Sequence, residues 1–254
     1  MRGRIAAILA LFSVLLSALS PSPAHAQERS ASRPGFSLSS GSDVRILLLR
    51  PRIRVGAQST GGMFEPNADW TAQARQNIGV ALTQAQAALG NRIIVQDEPV
   101  GAQAQILADY MSLFSAVADS VINYQFFRGN RLPTKVRDNA GGNFDWTLGP
   151  GVGTIPGAAD ADYALFISTE DHYGSTGRKV LQIFAAVAIG AAVRSGLHKG
   201  YAGLIDLRTG NLVWLNADLA MGGDVRTPEG AQRRVQQLLE DFPGGSATPA
   251  AAVR

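Results

Sequence analysis

The sequence predicts a single α/β domain, a mixed β-sheet with helices packed on it that ends in a β-hairpin followed by a helix. Three observations lead there. Val44, Ile46, Leu47, Leu48 and Leu49 form a near-continuous apolar run, the pattern of a strand covered on both faces. Two stretches, from Trp70 and from Ala102, repeat apolar residues at helical spacing. "YAGLIDL" and "NLVWLNADL" flank "RTG", which is hairpin grammar, and a capped amphipathic stretch follows them.

The chain opens with Arg2 and Arg4, then an apolar run from Ile5 to Leu19, then Ala24, His25 and Ala26. That order is a secretory signal peptide over residues 1–26 with an A-x-A site, cleaved after Ala26. Of the 23 Lys and Arg in the chain, two lie in this leader, and none of the 20 Asp and Glu does. The mature chain would therefore carry 21 basic against 20 acidic residues, a balance that gives no argument for nucleic acid. There is no cysteine, so disulfides, thiolate metal sites and an acylated lipoprotein cysteine are all excluded. Export into the periplasm is the expected destination.

Residues 27–42 are polar and Ser-rich and read as a flexible leader, and residues 243–254 read as a disordered tail. Residues 43–242 remain as the one domain. After its first strand and Pro51, Ile53 and Val55 alternate with Arg52 and Arg54. With Arg50, these arginines suit contact with an acidic partner or, more simply, solvated charges on an edge strand. "STGGMFEPNAD" reads as a loop. Asp69 can cap a helix from Trp70 to Leu89, whose apolar positions are Trp70, Ala74, Ile78, Ala81, Ala85 and Leu89. Arg92–Glu98 is a short strand. Ala102–Phe127 is a long helix with Ile106, Tyr110, Leu113, Phe114, Val117, Val121 and Phe127 assigned to the core.

Residues 128–160 are Gly-rich and irregular, a length of loop that is often functional or mobile. Their "GPGVGTIPG" has no following Lys-Ser/Thr and no helix start, so it fails as a phosphate loop. Asp162–Thr169 is a central strand. In "TEDHYGS" after it, Asp171, His172 and Ser175 are the only candidates for hydrolase chemistry. No G-x-S-x-G accompanies them, and the plain reading is a polar turn. No cofactor or metal site is expected.

Between Lys179 and Arg194 the chain is apolar but for Gln182, over fourteen residues, 180–193. A membrane-spanning helix needs about 20, so no transmembrane helix is expected in the mature chain. A helix apolar on every side is buried in its own protein or covered by a partner. Ala186, Ala188, Gly190 and Ala192 allow close approach and are candidate interaction residues, as is Trp214 in the hairpin. Thr227 caps a last helix, Pro228–Phe242, with Pro228 at its first position and Val235, Leu238, Leu239 and Phe242 as its buried stripe.

"GYAGLIDLRTGNLVWLN", preceded by "ADYALFIST", resembles bacterial envelope proteins around the curli-secretion channel (CsgG-like) and the penicillin-binding-protein activators (LpoB-like). Asp206, Thr209, Gly210 and Trp214 stand where that group has its turn and aromatic residue. The resemblance implies a periplasmic α/β domain that works by protein contacts without a catalytic site. It departs from the group in having no lipidated cysteine and no amphipathic membrane hairpins. The expected function is a non-catalytic periplasmic interaction module of an envelope assembly or export complex, with an envelope protein as partner. The alternatives are a periplasmic hydrolase using residues 171–175, and an oligomeric subunit associated with the outer membrane.

Overall fold

In the computed structural model, residues 28–38, 44–86, 92–135, 143–175, 177, 179 and 196–244 are described. The long strand β6 (Tyr163–Gly174) organises the sheet. One of its edges pairs along nearly its whole length with antiparallel β7 (Leu197–Asp206). The other edge is shared. Parallel β2 (Arg45–Leu48) takes its first part and parallel β3 (Arg52–Gln58) its second. Leu48 lies opposite Leu165 and Arg52 opposite Ser168, so three residues of one chain span two of the other. This bulge falls at Leu49–Pro51, where proline has no N–H to give a ladder.

The sheet continues past β7 into β8 (Leu212–Asp218) and then β1 (Glu28–Ser32), both antiparallel to their neighbours. On the far side β5 (Arg92–Val95) pairs with β2, and β4 (Phe64–Pro66) pairs with β3. Together the eight strands form the mixed sheet of one α/β domain. The hairpin and the helix after it are as expected.

Two apolar cores cover the two faces. Helix α2 (Ala102–Val121) lies on one, with Leu107, Met111, Phe114 and Ala118 against Phe166, Ile205 and Leu215. Phe114 and Phe166 meet at 5.2 Å between ring centres. Gly203 permits this approach, because a Cβ there would strike the Phe114 ring. Helices α1 (Ala68–Gln86) and α3 (Pro228–Leu238) share the other face, with Ala74, Ile78, Val235 and Leu238 against Leu165, Ile167, Leu204 and Trp214. No helix among the described residues is long and apolar enough to cross a membrane.

Several expectations need correction. Glu28–Ser32 is not flexible leader but an edge strand, in register from Glu28–Asp218 to Ser32–Trp214. Every residue of β8 is buried, and the main chain of β1 closes its outer edge. Backbone pairing of this kind asks little of composition, so a polar segment can supply it. The N-cap of α1 is Asn67, whose side chain accepts from the Trp70 N–H at 2.9 Å; Asp69 lies in the first turn instead. Helix α2 passes at Ile122 into a π-turn that ends at Phe126. Leu113 and Phe127 are exposed, because only one side of this helix meets the sheet. Phe64–Pro66, expected as loop, is β4.

The Gly-rich segment, where described, is packed rather than free. Phe144, Leu148, Val152 and Ile155 enter the α2-side core. Leu148 N–H donates to the Gly210 carbonyl at 2.8 Å, and Leu212 N–H to that of Trp146 at 2.9 Å. Gly210 has φ of 75°, and the Gly149 carbonyl leaves no space for a Cβ there. In the same turn Asp206 Oδ1 accepts from the N–H groups of Arg208 and Thr209. Thr227 caps α3 by accepting from Gly230 N–H at 3.1 Å. The helix ends at Leu238, short of the expected Phe242.

Candidate functional site

The polar turn expected after Thr169 is strand. β6 runs on through Glu170, Asp171, His172 and Tyr173 to Gly174. Side chains alternate along a strand, so these neighbours part to opposite faces. Leu165 and Ile167 face α1 and α3, and Thr169, Asp171 and Tyr173 continue that row. Phe166 faces α2, and Ser168, Glu170 and His172 continue the other.

On the α3 side Asp171 is fully buried with Arg234, which is also fully buried. Arg234 Nη2 donates to Asp171 Oδ1 at 2.7 Å and Nη1 to Oδ2 at 2.9 Å. Nη1 also reaches the Thr169 hydroxyl at 2.6 Å. Nε and Nη2 reach the carbonyls of Gly222 and Gly223, both at 3.2 Å. All five guanidinium hydrogens are thereby used. His198 Nδ1 donates to Asp171 Oδ1 at 2.8 Å. Burial alone would push the Asp171 carboxyl up. The hydrogen bonds from His198 and Arg234, together with their charge, outweigh it and hold the group below its ordinary value.

Next along this side, Tyr173 donates to Asp224 at 2.8 Å, and Arg226 grips the same carboxylate through Nε and Nη2. That grip lowers the Asp224 pKa to about 2. The Arg226 guanidinium lies 3.7 Å from the centre of the Tyr173 ring and 4.6 Å from that of Trp70. Burial, with the Asp171 charge behind it, raises the Tyr173 phenol above its ordinary range.

On the α2 side Ser168 and Glu170 of the second row are half-buried at a cleft, and His172 is buried. His172 Nε2 meets Glu170 Oε1 at 2.7 Å, and its ring stacks on Phe64 at 4.2 Å. Arg54 reaches Glu170 at 3.0 Å and lies over the same Phe64 ring at 5.0 Å. Helix α2 covers only the apolar part of this face. Beyond it opens a polar cleft of about 280 Å³, whose cations are Arg52, Arg54 and Lys199 and whose hydroxyls include Ser112, Ser115 and Ser168. Arg52 Nη1 donates to Ser112 Oγ at 3.2 Å. The Tyr201 hydroxyl, also at the cleft, donates to Asp119 at 2.5 Å.

A second cavity of about 470 Å³ adjoins the cleft through Arg52 and Ser112. It lies in a notch of the sheet edge. β5 covers β2 only as far as Leu48, and β4 covers β3 only from Gly56. Between them the outer edge of Leu49–Val55, the side away from β6, has no strand beside it among the described residues, and at Val55 it is held instead by Asn67 N–H and the Thr71 hydroxyl. Arg50 pairs with Glu98 at its mouth, and Arg75 approaches from α1.

The hydrolase candidates are therefore not assembled as the sequence listed them side by side. Asp171 and His172 project to opposite faces, and the histidine that Asp171 orients is His198. Ser175 follows the end of β6 and donates its N–H to the Gln58 carbonyl at 3.0 Å. Trp214 is fully buried and packs edge-on against Phe242, with ring centres 5.2 Å apart. It is core and offers no surface to a partner. Ala186, Ala188, Gly190 and Ala192 lie outside the described residues, as do the signal peptide and residues 245–254. Arg234 was missed, yet a signal existed. Ala231, Arg234, Val235 and Leu238 follow one helical stripe, so an arginine stood at a core position. Asp171 likewise continued the inward row of Leu165, Ile167 and Thr169.

No protein family and no curated protein matches the chain. Among solved structures, similarity is found to PelC dodecamers from Paraburkholderia phytofirmans. For a single-substitution variant the identity is 13% and the TM-score 0.34, over 85% of this chain and 97% of the other. For a second crystal form the identity is 12% and the TM-score 0.33, over 84% and 95%. At this level of likeness no residue role and no function passes from those proteins to this chain.

Proposed function

We propose that this chain is a non-catalytic interaction module of the bacterial cell envelope, exported to the periplasm to serve an assembly or export complex. The observation that carries the reading is the partition of β6. The acid–base groups that a hydrolase would need together are divided by the pleat, and Asp171 is committed to Arg234. What remains accessible is a cleft of cations and hydroxyls suited to holding a partner. The signal-like leader and the resemblance of the hairpin to CsgG-like and LpoB-like envelope proteins support the same reading.

The test is site-specific photo-cross-linking in cells. A cross-linker at Ala116, on the cleft wall, should yield a defined product with an envelope protein. One at Gln236, on the exposed side of α3, should not. Equal products from both positions, none from Ala116, or retention of the chain in the cytoplasm would overturn the proposal.

A further inference from the structure

The cleft and the edge notch form one groove, and its charges do not cancel. Glu98 is taken by Arg50 and Glu170 by Arg54 and His172, while Asp119 keeps its charge, bonded only by the neutral Tyr201 hydroxyl. Arg52, Arg75 and Lys199 have no carboxylate within ion-pair distance among the described residues. The only bond from the Arg52 guanidinium there is to the Ser112 hydroxyl. Lys199 lies over the Tyr201 ring at 5.8 Å. Among the described residues, three cations without an ion-pair partner thus outnumber the one unpaired carboxylate, Asp119, and leave the concave surface net positive. An anionic ligand gains from such an arrangement, since each pairing replaces solvent and not an existing partner.

The notch adds an apolar element. Pro51, Pro99, Leu107 and Met111 line it between the charged groups. Its outer backbone edge is without a neighbouring strand only around Pro51–Ile53 among the described residues, since Val55 N–H donates to the Thr71 hydroxyl and the Val55 carbonyl accepts from Asn67 N–H. An extended chain can lie along such a short edge. The groove offers no exposed ring on which a nucleobase could stack, because Tyr201 is buried and its hydroxyl is used. Cations, an apolar pocket and an open strand edge together match acidic and aliphatic side chains alternating on an extended backbone.

We infer that this groove docks an extended acidic peptide segment of a partner protein, with carboxylates at Arg52, Arg75 and Lys199 and an aliphatic side chain in the notch. The inference rests on the interaction-module reading and names the partner chemistry for it.

The experiment uses the exported full chain and, as probe, a fluorescein-labelled octapeptide of alternating glutamate and leucine, read by fluorescence anisotropy. Saturable binding is expected, weakening as salt rises. R52E/R75E should weaken it by about tenfold or more, whereas R52K/R75K should stay within about threefold. A108W leaves every charge in place but fills the notch, and should also block binding. This variant keeps the test decisive if charge reversal disturbs folding. Absence of peptide binding, or binding by R52E/R75E and by A108W as tight as that of the unsubstituted chain, overturns the inference. So does binding of an oligogalacturonate in place of the peptide, which would assign the groove to an acidic glycan. Cross-linking from Ala116 that persists without peptide binding would leave the module reading standing and remove this one.

Discussion

The two sides of β6 beyond Ile167 carry the same kinds of side chain to opposite ends. On one side Asp171, His198 and Arg234 are enclosed under α3, and every guanidinium hydrogen has an acceptor. On the other, Arg54 and Glu170 meet at the edge of an open cleft, and Glu170 also holds the buried His172. The difference lies in access to water. An ion pair without solvent cannot be replaced by hydration when one member is lost, whereas an exposed pair can. The enclosed group therefore specifies how α3 seats on the sheet, whereas the Arg54–Glu170 pair is left in contact with solvent.

The largest expected effect breaks the enclosed side. Arg234→Ala leaves a buried carboxylate without its partner and should cost about 3–5 kcal/mol in urea unfolding. The paired replacement D171L/R234M should restore most of that loss, because it removes both charges together. A cost below about 1 kcal/mol for Arg234→Ala would mean that water reaches the pair and that the two sides do not differ.

The pH dependence divides the enclosed side further. Asp171 is held below its ordinary value of 3.8, so its contribution is fully present above that pH and is lost as pH falls through the lower folded value. D171N should remove this part of the acid limb. Asp218 behaves in the opposite sense. It is buried, and Oδ1 accepts from Ala220 N–H at 2.6 Å while Oδ2 has no hydrogen-bond partner among the described residues. Burial raises its pKa, so the fold loses stability as pH rises through that raised value. D218N should accordingly stabilise the protein at neutral pH, by about 1 kcal/mol, and flatten the profile between acid and neutral pH. Unfolding free energies measured across pH on the two variants test both signs.

The smallest effect belongs to the open side. The Arg54 side chain is 46% exposed in its pair with Glu170. Arg54→Ala should cost less than about 1 kcal/mol, and that cost should shrink further in high salt. A loss as large as that of Arg234→Ala would show the cleft group to be structural and would weaken its assignment as a binding surface.

What the sequence determined by itself is what neighbouring residues decide. The β7–β8 turn follows from Asp206, Thr209 and Gly210, the start of α3 from Thr227 and Pro228, and the central strand from the apolar run at Ala164–Ile167. Each depends on backbone conformation or periodicity within a few positions, and each is found in the structure. Only the tertiary structure decided the extent of β6, the edge strand β1 and the site. "TEDHY" is polar, so locally it reads as a turn. It stays extended because β3 and β7 flank it and supply its ladder on both edges. Glu28–Ser32 has no strand signal of its own and becomes ordered through the edge of β8. Arg234 and Asp171 stand 63 positions apart. Neither residue's surroundings in sequence contain the other, so the pair exists only once α3 packs across the sheet and excludes water from between them.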